Sequence, residues 1–177
     1  MVPDPTIRQG SVTHPALPRE FEEVMLLIGR LNYSWTNTES LLIHLIAGLA
    51  GTSKETAVII FLTLNTTRAR IDLIERLSKM DGRDPDERQG ILKLTRELMS
   101  LSGLRNRYNH CIYSFDPDGG ALRTIQMRIA DRRDAIKMGR TELLDAEARS
   151  DIDAAIDGLQ ELNRAIWSLI VQYRYPV

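Results

Sequence analysis

The chain has 177 residues, 43% of them hydrophobic and 27% charged, which is enough apolar material for the core of one globular domain and makes a multidomain reading unnecessary. A formal net charge of -1 excludes a strongly basic nucleic-acid coat protein, and the single cysteine, Cys111, excludes an internal disulfide framework. With no signal-peptide pattern, no apolar run of bilayer length and no Cys/His cluster of zinc-like spacing, the sequence predicts a soluble cytoplasmic protein with no metal, no cofactor and no membrane association.

Residues 1–18 carry Pro3, Pro5, Pro15 and Pro18 without periodicity and read as an extended or mobile arm, in which His14 is solvated. Residues 19–177 read as a single helical domain. From Arg19 to Ala50 the apolar residues recur at three and four, which predicts one long amphipathic helix with a bend near Gly29 or between Asn32 and Thr38. Within it His44 lies among leucines and isoleucines, the setting of a hydrogen-bonded core histidine. Glu39, beside the Trp35 stripe, either orients a cation on a packed neighbour or faces water.

Gly51 stops that helix, and Thr52 with Glu55 forms a capping box for a second one that runs to about Met80, where Asp81-Gly82 ends it. Its apolar stripe is interrupted by Arg68, which reads as a paired arginine at the edge of the core. Asp84-Pro85-Asp86-Glu87 announces a third helix, with a cap, a proline at the first helical position and early negative charge. Periodicity carries it to about Tyr113. Ile91, Leu94, Leu98, Leu101, Leu104, Tyr108 and Ile112 form its core stripe, leaving Leu92, Met99, Gly103, Asn106 and His110 on another flank. Gly103 costs about 1 kcal/mol relative to alanine in mid-helix and leaves a gap one turn before Asn106.

After the turn at Asp116-Pro117-Asp118-Gly119-Gly120 the period shortens, and residues 122–129 predict a short strand in a small β-hairpin or extended excursion. Arg123, Arg128, Arg132, Arg133, Lys137 and Arg140 decorate it, either as a solvated surface or as a phosphate-backbone track. Between Leu101 and Arg140 basic residues outnumber acidic ones eight to four, whereas Thr141 to Asn163 holds seven acids against Arg149 alone, so one end of the molecule attracts phosphate and another repels it. The last helix is expected from Thr141-Glu142 to about Tyr173, with Trp167 in packing. The resulting fold class is all-α: a four-helix bundle of long helices with a small excursion between the third and fourth.

The chemistry concentrates in Leu104-Arg105-Asn106-Arg107-Tyr108-Asn109-His110. At about 100° per residue Asn106 and His110 share one stripe and Arg105 and Asn109 the next; Arg105 and His110 diverge by about 140° and about 7.5 Å, a spacing that brackets a nucleotide. Arginine and histidine near a helix C-terminus also serve as ordinary dipole and capping residues. Two asparagines of poor helix propensity in the same cluster are harder to explain by stability alone.

Arg105-Asn106-Arg107-Tyr108-Asn109-His110, late in the third helix, resembles the motif of the HEPN family: an arginine, often followed directly by a polar residue, four to six intervening residues, then histidine. The resemblance implies metal-independent cleavage of single-stranded RNA, a toxin or phage-defence role with a possible antitoxin protein as partner, and active sites at a homodimer interface. Arg105, Asn106 and His110 are then the catalytic set, and Arg107, Asn109, Arg123 and Arg128 the RNA-binding candidates. An imidazole can take the proton of a ribose 2′-hydroxyl, and a guanidinium can pair with the phosphate as charge grows on it. The alternatives are a non-catalytic HEPN-like module that binds nucleotide or RNA, and a structural dimeric bundle.

Overall fold

Two of the four expected helices are broken by local hydrogen bonding, and the stretch after the motif pairs as sheet. In the computed structural model, which describes residues 19–115, 121–127 and 129–177, the elements in order are α1 (Arg19–Ser40), α2 (Leu42–Ala50), α3 (Lys54–Thr63), α4 (Thr67–Ser78), α5 (Pro85–Asn109), β1 (Cys111–Ser114), β2 (Arg123–Gln126), β3 (Ile129–Arg132), β4 (Ala135–Met138), β5 (Thr141–Leu143) and α6 (Ala146–Gln172). The arm expected at 1–18, with His14, the turn at 116–120 and Arg128 lie outside the described residues.

The first expected helix breaks at Leu41, not at Gly29 or within 32–38, and the polar run before the break explains it. Thr38 Oγ1 donates to the Ser34 carbonyl at 2.8 Å and to the Leu159 carbonyl of α6 at 3.2 Å, while the Leu41 amide bonds to Thr38 three residues back, at 3.2 Å. Such hydroxyl back-bonding bends helices. In the second, Ser53 rather than Thr52 is the cap, accepting from the Thr56 amide, and the helix is cut at Leu64 because Thr66 caps a new one by accepting from the Ala69 amide at 3.1 Å.

The third expected helix ends at Asn109, four residues early, since Cys111 to Ser114 pair antiparallel with β2. Ile112, expected in the core stripe, is consequently 49% exposed. The fourth starts at Ala146 under an Asp145 cap, because Thr141–Leu143 is a strand. The single excursion becomes a three-stranded antiparallel sheet of order β1-β2-β5, with a β3-β4 hairpin inserted between β2 and β5. The protein is therefore mostly helical but not all-α.

The long helices α1, α5 and α6 pack on one another, and α4 closes the arrangement against α2 and α5. Their buried stripes are Val24, Ile28, Leu31 and Trp35 from α1, Ile91, Leu94 and Leu98 from α5, and Ile152, Ile156, Leu159, Leu162, Ile166 and Ile170 from α6. Arg68 is solvent-exposed and pairs with Asp72 at 2.9 Å; the largely buried arginine at the core edge is Arg70. Trp167 packs its ring 5.4 Å from that of His44, whose Nδ1 bonds to the Pro176 carbonyl at 2.7 Å. Among the described residues no single helix is long and apolar enough to cross a membrane.

Candidate functional site

An open cleft of about 590 Å³ lies where the end of α5 meets the sheet, lined by Gly103, Asn106, Arg107, His110, Gln126, Met127 and Arg140. His110 is the hinge residue between helix and sheet. Its amide still bonds to the Asn106 carbonyl at 3.2 Å, as the last helical bond, while its own carbonyl accepts from the Met127 amide at 3.3 Å, as the first rung beside β2. Backbone on both sides thus fixes the position from which the exposed imidazole projects.

The opposite wall exists because Gly139 adopts a left-handed φ of 71°, which lets the chain turn back so that the Arg140 carbonyl accepts from the Gln126 amide at 3.0 Å. Arg140 then leads into β5, where Glu142 sits beside it. Arg140 Nε lies 3.0 Å from Glu142 Oε1, Arg107 Nη1 is 3.9 Å from Oε2, and Gln126 Nε2 donates to Oε2 at 3.3 Å. One carboxylate therefore lies between two guanidiniums at the rim.

Arg105 points elsewhere. Its Nη1 donates to Asn106 Oδ1 at 3.1 Å, and with the Asn109 amide turned so that its oxygen faces the guanidinium, Nε and Nη2 donate to it at 2.9 and 3.0 Å. The same turn lets the Asn109 amide nitrogen donate to Asn32 Oδ1 at 2.7 Å, and Asn32 Nδ2 donates to the Ile28 carbonyl at 3.0 Å, which ties the series to α1. The guanidinium carbon lies 5.6 Å from the centre of the Trp35 ring. Because a guanidinium can only donate, Arg105 fixes the oxygen side of the Asn106 amide and leaves its N–H₂ for the cleft.

The motif is thus divided between two surfaces: Asn106, Arg107 and His110 line the cleft, whereas Arg105 and Asn109 face α1. Tyr108 is buried and packs, its hydroxyl pushed to higher pKa by that burial, and its carbonyl accepts from the Tyr113 hydroxyl at 2.6 Å. Arg123 is exposed on β2 opposite Leu143 and Ser114, at the end of the strand away from Gln126, and is not part of the cleft. Gln126, Met127 and Glu142 were not singled out by sequence reasoning, and Arg140 only as one of a basic run. Their nearest local signal is the glycine preceding Arg140. Among the described residues no three His, Cys, Asp or Glu side chains are grouped as a metal site.

Comparison with protein-family models, with curated proteins and with solved structures finds no match to this chain.

Proposed function

We propose that the protein is a metal-independent endoribonuclease of HEPN type that cleaves single-stranded RNA by attack of a ribose 2′-hydroxyl on the adjacent phosphate. The observation that supports this reading is the meeting of an exposed imidazole, an amide donor and two guanidiniums in one cleft at His110, Asn106, Arg107 and Arg140. His110 accepts the 2′-hydroxyl proton, the 2′-oxygen bonds to phosphorus, and the bond from phosphorus to the 5′-oxygen breaks. A 2′,3′-cyclic phosphate and, after protonation by solvent, a 5′-hydroxyl result. Guanidinium and amide donors meet the charge that develops on the phosphoryl oxygens.

The finer fold assignment, a HEPN-like bundle in which α1 with α2, α3 with α4, α5 and α6 act as the four helices, belongs to this proposal. So do a cytoplasmic toxin or phage-defence role, an antitoxin partner, and a homodimer in which the ends of α5 face each other. The decisive experiment is RNA cleavage by the purified chain and its His110→Ala variant, with product ends identified and the assay repeated in excess chelator. A rate lower by about two to four orders of magnitude is expected for the variant, the usual share of a general base. Equal rates would remove the proposal, and activity that vanishes in chelator and returns with magnesium would remove its metal-free mechanism.

A non-catalytic RNA-binding module is the second reading, favoured by the engagement of Arg105 with Asn106 and Asn109 instead of with the cleft. RNA binding without cleavage by the wild type would select it.

A further inference from the structure

We infer that the cations that hold the RNA phosphate are Arg107 and Arg140, kept together by Glu142, and that Arg105 is a positioning residue acting through Asn106. The inference rests on the ribonuclease reading and changes which arginine of the motif meets substrate.

Three of the five N–H donors of Arg105 are already committed, one to Asn106 and two to Asn109, and the guanidinium lies over Trp35 outside the lining of the cleft. A phosphate beside His110 would compete with both amides for it. Arg107 and Arg140 are held less fully, Arg140 through Nε on Glu142 at 3.0 Å and Arg107 across 3.9 Å to the same carboxylate. They enter from different elements, the end of α5 and the turn at Gly139, and both line the cleft with His110.

Two like charges are not brought together without a counter-charge, and Glu142 is that charge. Its side chain is 22% exposed and anchored by Gln126, while Arg107 and Arg140 are 43% and 77% exposed. Arg140 spends Nε on the carboxylate, and Arg107 meets it only at 3.9 Å, so most of their N–H groups remain for an incoming anion. A phosphodiester accepts from guanidiniums in the same forked geometry as a carboxylate. The ligand class is therefore the backbone phosphate of single-stranded RNA, with Asn106 N–H₂ as a third donor held in place from behind by Arg105.

The test uses the full chain carrying His110→Ala, so that RNA is bound and not cut, with an end-labelled single-stranded oligouridylate of about twelve nucleotides. Adding Arg107→Ala or Arg140→Ala should weaken binding about tenfold at about 50 mM salt and flatten the dependence of log affinity on log salt by about 0.7, the share of one contact on a single strand. Adding Arg105→Ala should leave that slope unchanged. With His110 intact, Arg105→Lys, which keeps the charge but cannot span two amides, should lose kcat as fully as Arg105→Ala, with KM little altered.

An unchanged slope in the Arg107 and Arg140 variants, a flattened slope in Arg105→Ala, or recovery of turnover by Arg105→Lys overturns the inference. If the wild type cuts RNA and only these comparisons fail, the ribonuclease reading stands. If the wild type does not cut and the His110→Ala chain does not bind, both fall.

Discussion

The indole Nε1 of Trp35 donates to Glu39 Oε2 at 3.0 Å, and through that bond the ring beneath Arg105 is tied to α4. The other carboxylate oxygen of Glu39 accepts from Thr67 Oγ1 at 2.5 Å and from Arg70 Nη1 at 2.8 Å, while Arg70 lies over the Phe61 ring and donates Nε to the Phe61 carbonyl. Both ionic side chains are largely buried, at 13% and 15% exposure. Removing one partner of such a pair strands the other, so Glu39→Ala should lower stability by about 3 kcal/mol in urea denaturation. A loss of less than about 1 kcal/mol would mean that water replaces the carboxylate.

Gly103 has nothing within 4 Å of the position a Cβ would take. Gly103→Ala should therefore raise stability by about 1 kcal/mol through helix propensity, seen as a higher denaturation midpoint. The same methyl group narrows the cleft that Gly103 lines, so the stabler variant should show a lower kcat/KM on RNA. Gain in both would show that the glycine serves neither access nor catalysis.

The proposed homodimer places the same exposed position against a second copy. Gly103→Glu should then give monomers in sedimentation at micromolar concentration and reduce RNA cleavage to the same degree, with the circular dichroism of the helices unchanged. Wild-type chain that sediments as a monomer and still cleaves fully rules out an active site shared between subunits.

At the other end of the molecule the Tyr175 hydroxyl donates to the buried Glu87 at 2.5 Å, its ring against Gly48. Burial and then the neighbouring carboxylate raise the pKa of this phenol. A phenol whose folded pKa lies above the unfolded value of about 10 contributes its stabilisation fully below that pH and loses it as pH climbs toward the folded value. Tyr175→Phe should cost about 2 kcal/mol at neutral pH, the penalty of a buried carboxylate oxygen that loses its donor while the other oxygen keeps Arg83 at 3.9 Å, and the gap to wild type should close above about pH 10. Urea denaturation across that range measures it; a gap that stays constant at high pH would show that the phenol titrates alike in the folded and unfolded chains.

Much of this architecture was legible because it is local. The stripes of α1, α5 and α6 follow from period alone, His44 is the hydrogen-bonded core histidine its neighbours imply, and Glu39 does orient a cation on a packed neighbour. Thr66 as a cap was equally local and was hidden by an apolar stripe that runs through it without losing phase. The strands were harder. Ile112 is in helical phase with Tyr108 and in strand phase with its neighbours, so only pairing with Ile125 decides between them. Glu142 reads as an acid at a helix start until the register with Thr124 makes it a strand residue. The arginine pair of the cleft depends on that register, and sequence spacing carries no trace of it.

The β3-β4 hairpin leaves the cleft wall between Gln126 and Arg140, and these two residues are joined at the backbone by a 3.0 Å bond. The stem is therefore closed at Gln126 and Arg140, and apart from Met127, which bonds to His110, and Gly139, which turns the chain back, the hairpin adds no rung to the pairing of β2 with β5. A loop anchored in this way tolerates changes of length at little entropic cost, since each doubling adds only about 0.6 kcal/mol. It is the natural port for grafting a reporter or an affinity peptide beside the cleft, and the place where descendants of this chain can vary in size while Arg107, His110 and Arg140 keep their spacing.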